Sequence, residues 1–192
     1  MKFSINLDFV YENRDYVEAM REIKEVGFQG AEIVFMEGKD LNRLAEAQKE
    51  TGLEFALLVS YMIDLVDAQK KNEFIDKVKL KIQEAKVLNC NRIVIAVGDH
   101  MESISHEEQM KNVEQGILEM IPLFEKADMI MLLEPINNKI DHPTTALWSS
   151  KEAFDMVRRI NSPRVKVLYD IYHMGVMEGD CIRTIIENKD II

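Results

Sequence analysis

The chain has 192 residues, of which 47% are hydrophobic and 30% charged, a composition that excludes a disordered, collagen-like or disulfide-stapled protein. Its net charge of -10 disfavours nucleic acid as a partner, because an acidic surface repels a phosphate backbone. The apolar runs are far shorter than the ~20 residues of a membrane helix, and Cys90 and Cys181 are typical of buried free thiols, so we expect a cytoplasmic protein with no membrane partner.

Six short segments along the chain have the composition of β-strands. Three of them contain continuous apolar stretches, which are typical of strands covered on both faces in a parallel sheet. The predicted strands are Lys2–Leu7, Gly30–Phe35, Glu54–Ser60, Arg92–Gly98, Met129–Glu134 and Arg164–Asp170.

Segments with helical periodicity lie between and after these strands. Polar residues suited to N-caps precede several of them, and Pro122 predicts a kink or an early end in the fourth. The predicted helices run from Asn13 to Val26, Asp40 to Gly52, Asn72 to Leu88, Ser105 to Lys126, Ser149 to Ile160 and Glu178 to Asn188.

The alternation of strand and helix continues along the whole chain without a linker or a low-complexity segment, which predicts one domain over residues 1–192. Two architectures accept this pattern, a doubly wound open sheet and a closed (β/α)8 barrel. No glycine-rich loop follows the first strand, where an open sheet often carries one. Polar residues instead follow the strand ends, where barrel enzymes place their active sites, and this favours the barrel.

Two carboxylates at consecutive strand ends are the main candidates for chemistry. Glu134 ends the apolar run Met129–Leu133, where a carboxylate is partly desolvated and needs a cation, a proton or hydrogen-bond donors. Asp170 ends the next strand, and His173 follows three residues later. Because neighbouring strands lie ~5 Å apart, the two carboxylates are able to share a divalent cation such as Mg, Mn, Co or Zn.

Simpler interpretations of these residues remain open. Glu134 could end its strand in solvent, Asp170 could cap the next turn, and His173 could be a surface histidine. Weaker candidates are Glu32, which points inward or into solvent, and the loop Gly98-Asp99-His100. The two remaining histidines, His106 and His142, are expected in loops or at the surface.

The segments Leu132-Leu133-Glu134-Pro135-Ile136-Asn137 and Tyr169-Asp170-Ile171-Tyr172-His173-Met174 resemble the xylose-isomerase-like sugar isomerase/epimerase superfamily. Within it, the hydroxypyruvate isomerase branch is the most similar. The stretches at residues 27–32 and 177–180 match that branch too, and the resemblance runs through essentially all 192 residues.

This resemblance implies a (β/α)8 TIM barrel with a divalent metal (Mg, Mn, Co or Zn) at the carboxyl ends of its strands. It makes Glu134 both a metal ligand and an acid/base catalyst, and it makes Asp170 the second metal ligand. It also implies that His173 orients the substrate, with Asn137 of the first motif as a second substrate-binding residue. The 192 residues correspond to only about six βα units of such a barrel.

The activity implied by the resemblance is metal-dependent isomerisation of small hydroxy-carbonyl acids or sugars, in which a proton moves between adjacent carbons. A sugar 3-epimerase is the alternative, but that branch tends to carry another acid where Asn137, Asn138 and Lys139 follow Glu134. A hydrolase of the abasic-site endonuclease kind needs more histidines than the four present and a basic groove.

In the resembling family, a further metal ligand on strand seven and a second catalytic glutamate on strand eight lie at positions beyond Ile192. We therefore expect the 192-residue chain to be catalytically inactive or nearly so. Open edges at Lys2–Leu7 and Arg164–Asp170 would favour a homo-oligomer or other self-association. A non-catalytic fragment that binds a partner through these edges is the third possibility.

Overall fold

The computed structural model describes residues 2–60 and 64–192 as an α/β fold, as expected. The strand order follows the chain order from the first strand to the sixth, which is typical of parallel strands joined by helices. Each strand lies within its predicted range. The strands are β1 (Ser4–Asn6), β2 (Gly30–Ile33), β3 (Glu54–Val59), β4 (Arg92–Ile95), β5 (Ile130–Leu133) and β6 (Val165–Val167).

All six predicted helices are present, and two short helices that the sequence did not predict directly follow strands. Among the described residues, no helix combines the length and apolar character needed to cross a membrane. The helices are α1 (Leu7–Val10), α2 (Tyr16–Glu25), α3 (Leu41–Thr51), α4 (Lys71–Val87), α5 (His106–Ala127), α6 (Ser150–Ile160), α7 (Ile171–Met177) and α8 (Cys181–Asn188).

The predicted start of helix α2 was wrong for an identifiable reason. Helix α2 begins after Asp15 and not after Asn13, because the Asp15 carboxylate accepts the first backbone N–H groups while Asn13 has a φ of 62°. Helix α5 continues through Pro122 to Ala127, one residue beyond the predicted end at Lys126, so the alternative of an early end is wrong. The residue whose carbonyl loses its donor, Leu118, is on the exposed side of α5, where water can replace that hydrogen bond.

The last predicted helix begins at Cys181 and not at Glu178, which instead follows the end of α7. Helix α8 contains no buried residue, so Cys181 at its start is partly exposed. The expectation of two buried thiols therefore holds for Cys90 alone.

The chain divides into two compact units. The first comprises Met1–Val59 and Leu80–Ile93, and the second comprises Ser60–Lys79 and Val94–Ile192. In the first unit, β1, β2 and β3 pair in parallel, and helices α2 and α3 contribute fully buried apolar side chains. The core of this unit includes Ala19, Met20, Ile23, Ala31, Ile33 and Leu44.

In the second unit, the parallel pairing of β5 with β6 places the two strand ends side by side. Leu133 is in register with Val167, and the Leu168 N–H donates to the Leu133 carbonyl over 3.0 Å. The residues that follow the two strands therefore emerge at the same edge, as the sequence predicted for Glu134 and Asp170. The core of this unit includes Val113, Ile117, Phe124, Met131, Leu133 and Met156.

A close backbone approach at Gly98 leads to a stability prediction. Gly98 has a φ of +98°, and an added Cβ would lie 2.5 Å from the Asp64 Cα. Gly98→Ala should lower the free energy of unfolding, measured by chemical denaturation, by about 2–4 kcal/mol, since it adds overpacking to left-handed strain. The control is Gly179→Ala, where φ is +68° with nothing within 4 Å, so only about 1–2 kcal/mol should be lost. Equal losses would contradict the close approach.

Candidate functional site

Three candidate residues from the sequence lie together in the second unit. One ligand atom from each of Glu134, Asp170 and His173 lies within 4.8 Å of the others, and all three residues are partly buried. Atoms that share one divalent cation at about 2.0–2.6 Å are separated by distances of this size. The cluster therefore has the donor types and the spacing that a single divalent ion requires.

The two carboxylates of this cluster repel each other, and a bound cation would reduce that repulsion. Glu134 directly follows β5, and Asp170 follows β6 by three residues, so the fold itself brings two negative charges to one edge. Like charges this close repel each other most strongly where water is partly excluded. A divalent cation or a proton relieves that repulsion.

Asp170 uses its two oxygens for different tasks. Its Oδ1 accepts the backbone N–H groups of Tyr172 at 2.7 Å and His173 at 3.1 Å, and so caps the N-terminus of α7. Its Oδ2 lies 4.0 Å from His173 Nε2 within the cluster. The simple capping interpretation is therefore correct for one oxygen, while the other contributes to the candidate metal site.

Burial favours the neutral form of the His173 imidazole. Its side chain is only 14% exposed, and burial lowers its pKa, an effect that the Asp170 carboxylate partly opposes. The ring of His142, with its centroid 5.5 Å away, lowers the pKa of His173 further. In this neutral form the ring of His173 carries a single N–H and one bare nitrogen.

Asn137 is fully buried, and its amide is used entirely by protein partners. Its Oδ1 accepts the backbone N–H groups of Ile140 at 3.0 Å and Asp141 at 3.1 Å. Its Nδ2 donates to Asp141 Oδ2 and to His173 Nδ1, each over 2.7 Å. The backbone carbonyl of Asn137 also accepts the His142 backbone N–H at 3.2 Å. This one residue therefore organises the start of the loop between β5 and α6.

Asp141 and Tyr172 complete a network that the sequence did not predict. The Tyr172 hydroxyl donates to Asp141 Oδ2 over 2.7 Å, on the same oxygen that Asn137 contacts. These two hydrogen bonds, first that of Asn137, lower the pKa of Asp141, and the Asp141 contact raises the pKa of Tyr172. Tyr172 was visible between the motif residues Asp170 and His173, whereas Asp141 carries no distinguishing signal.

The weaker candidates have other partners among the described residues. Glu32 accepts the Ser4 hydroxyl within the first unit. Asp99 accepts the Thr144 hydroxyl at 2.8 Å, His100 contacts Gln109 at 3.1 Å, and His106 pairs with Glu152 at 3.0 Å. Of the histidines outside the predicted cluster, His142 is the one whose ring lies against His173.

A cavity of about 360 Å³ includes Glu134 in its lining and so adjoins the cluster. Its volume is at the small end of the range for ligand pockets, which suits a substrate of few carbons. Four carboxylates line it, those of Asp64, Asp99, Glu134 and Asp141.

Comparison with known proteins identifies relatives along almost the whole chain. The family model described as xylose isomerase-like TIM barrel matches residues 20–192. A putative hydroxypyruvate isomerase of Danio rerio is 28% identical over 96% of this chain and 72% of the relative. The hydroxypyruvate isomerase of Escherichia coli (strain K12) is 26% identical over 99% of this chain and 76% of the relative.

Solved structures reproduce the same fold. The structure described as AP endonuclease, family 2, from Brucella melitensis has a TM-score of 0.89 at 24% identity, covering 97% of this chain and 74% of that one. The 3-keto-D-glucoside 4-epimerase of E. coli has a TM-score of 0.82 at 21% identity, covering 100% and 76%. A structure of the IOLI protein with a zinc atom has a TM-score of 0.79 at 21% identity, covering 94% and 66%. At these identities the likeness concerns the fold.

The divided role of Asp170 predicts different outcomes for two substitutions in metal-free protein. Asp170→Asn should leave the free energy of unfolding within about 0.5 kcal/mol, because asparagine caps helices as well as aspartate does, whereas Asp170→Ala should cost about 1 kcal/mol. The same two changes at Asp40, which caps α3 in the same manner, are the control and should give the same pattern in chemical denaturation. A loss at Asp170→Asn as large as at Asp170→Ala would contradict the capping role.

Proposed function

The chain belongs to the xylose isomerase-like TIM barrel family, and we propose that it is a metal-dependent isomerase of small hydroxy-carbonyl acids or sugars. The observation that carries this proposal is the cluster of two carboxylates and one imidazole within 4.8 Å at the strand ends. The relatives named hydroxypyruvate isomerase, and a 2-oxo-tetronate isomerase of Pectobacterium atrosepticum at 19% identity, support this substrate class.

Glu134 and Asp170 are the residues that would hold the metal. Carboxylate oxygens suit Mg, Mn, Co and Zn, and the zinc atom of the structurally similar IOLI protein supports a divalent ion. When bound, such an ion polarises a substrate carbonyl and so makes the hydrogen on the adjacent carbon more acidic.

The charge of the cavity supports a metal, and it makes the binding of an acid substrate depend on that metal. Four carboxylates line the cavity, and Lys70 is already paired with one of them, Asp64, at 2.6 Å. An anionic hydroxy acid would be repelled by such a lining. A divalent cation at Glu134 and Asp170 supplies the compensating positive charge, so an acid substrate and a metal are expected to bind together.

The proposed reaction moves hydrogen between two adjacent carbons. In hydroxypyruvate, C3 gives up one hydrogen and its hydroxyl gives up a proton, while C2 gains a hydrogen and its carbonyl oxygen gains a proton. In this proposal Glu134 is the base that removes the proton from C3, which is supported by its position as the carboxylate of the cluster that borders the cavity. A 3-epimerase starts with the same proton removal but returns the proton to the opposite face of the same carbon.

Metal binding is the first test of this proposal. Calorimetric titration of the protein with Mn²⁺ should show weak binding, because a dication held by two carboxylates keeps several waters. Asp170→Asn and Glu134→Gln should each weaken that binding by at least about 10–100-fold, since they remove a ligand charge without changing side-chain size. Asp40→Asn, the same change at a helix cap outside the cluster, should bind Mn²⁺ like the wild type. Unchanged affinity in Asp170→Asn would rule out this placement of the metal.

Proton removal by Glu134 is testable apart from complete isomerisation. In D₂O with Mg²⁺, the protein should exchange the C3 hydrogens of hydroxypyruvate for deuterium, measured as loss of their proton NMR signal. This half-reaction needs only one base, and Glu134→Gln should slow it by about 10²–10⁴-fold. Asp40→Asn and a protein-free sample with the same Mg²⁺ are the controls. Exchange that persists in Glu134→Gln would assign the base to another residue, and exchange into fructose in preference to hydroxypyruvate would favour the epimerase.

A further inference from the structure

The orientation of the Asn137 amide is fixed by the hydrogen bonds on both of its sides. Two backbone N–H groups, of Ile140 and Asp141, point at one end, which must therefore be the oxygen. The other end faces the Asp141 carboxylate at 2.7 Å, which only accepts hydrogen bonds, so this end must be the NH₂ group. A reversed amide would leave two backbone donors facing NH₂ and two oxygens facing each other.

The fixed amide in turn dictates which nitrogen of His173 carries the proton. Asn137 Nδ2 lies 2.7 Å from His173 Nδ1 and can only donate, so Nδ1 must be the bare, accepting nitrogen. We propose that Asn137 locks the His173 ring in the tautomer protonated at Nε2, so that the substrate-orienting role already expected of His173 is that of a hydrogen-bond donor. Asn137 is then a positioning residue that acts through His173 and does not contact the substrate.

Metal ligation by His173 conflicts with this lock. An imidazole that binds a metal through Nε2 carries its proton on Nδ1. That proton would point at the NH₂ group of Asn137 over 2.7 Å, so two donors would face each other. Of the three residues in the cluster, Glu134 and Asp170 therefore remain as ligands, and the Nε2–H group is left to face the cluster.

The consequence for catalysis rests on the proposed function. Nε2 lies 4.0 Å from Asp170 Oδ2, beyond hydrogen-bond distance, so the Asp170 carboxylate does not use this donor. A substrate oxygen bound beside Asp170 would meet an N–H group in a fixed direction. The Asp141 carboxylate accepts hydrogen bonds from the Tyr172 hydroxyl and from Asn137 Nδ2. These bonds fix the amide that in turn fixes the His173 ring.

Nitrogen NMR reads the tautomer directly, without metal or substrate. In uniformly ¹⁵N-labelled, metal-free protein at about pH 8, two-bond correlations to the ring protons distinguish the protonated from the bare nitrogen of each neutral histidine. His173→Gln assigns the signal by its disappearance. We expect His173 to be protonated at Nε2 and bare at Nδ1. A proton on Nδ1, or a rapid average of both tautomers, would overturn the proposal.

Asn137→Asp tests the lock itself. An aspartate places an accepting oxygen where the NH₂ group stood, so the ring should shift its proton to Nδ1 in this variant. Asn138→Asp makes the same change at the next residue and should leave His173 protonated at Nε2. If Asn137→Asp, with otherwise native amide spectra, kept the wild-type tautomer, Asn137 would not be the determinant. The wild-type measurement decides the tautomer independently of how this variant folds.

A titration with Zn²⁺ separates this proposal from the metal site. When Zn²⁺ saturates the proposed site at Glu134 and Asp170, His173 should still carry its Nε2 proton. Loss of the Nε2 proton and a large shift of the Nε2 signal would make His173 a ligand and overturn the proposal. A protein that binds no Zn²⁺ but shows the Nε2–H tautomer would instead contradict the metal site and leave the role of Asn137 intact.

Discussion

The hydrogen bond from Asn137 Nδ2 to His173 Nδ1 joins the two segments on which the candidate site is built. Asn137 organises the loop after β5 through its backbone and its side chain, and His173 sits in the first turn of α7. A buried amide has one donating and one accepting end, and both ends of the Asn137 amide are used here. The amide therefore cannot flip without breaking its other hydrogen bonds. The orientation of the His173 ring beside Asp170 therefore depends on a contact that is itself uncharged.

Asp170 illustrates how a strand end holds a candidate metal ligand in a defined direction. The pairing of β5 with β6 sets the position of its backbone, and the capping of α7 by Oδ1 sets the direction of its side chain. The remaining oxygen is then held beside His173 without a dedicated support. The same two features, a parallel strand and the helix that follows it, build the fold and orient the ligand, which is how barrel enzymes place functional groups on rigid elements.

Most of the fold was predictable from the sequence, because apolar runs and N-cap residues are local signals. Helices α1 and α7 were missed because they follow a strand without any break in composition, and only the capping bonds of Asn6 and Asp170 identify them. The proximity of Glu134 and Asp170 followed from strand-end placement. The contacts of Asn137 did not, because its partner His173 is 36 residues away and the polarity of that contact depends on backbone N–H groups at Ile140 and Asp141.

The protonation state of His173 links the substrate class to the metal. A charged imidazolium could have balanced an anionic substrate, but burial lowers the pKa of His173 and so disfavours the charged ring. The cavity lining contributes carboxylates, and the lysine nearest in the sequence to Asp64, Lys70, is already paired with it. Under the proposed function, the positive charge for an acid substrate comes from an ion at Glu134 and Asp170. A neutral sugar needs that charge only to polarise its carbonyl, whereas a hydroxy acid needs it for binding as well. In an acid-specific member of this family, removal of the metal should therefore weaken substrate affinity as well as slow the reaction. In a sugar-specific member, removal of the metal should mainly slow the reaction.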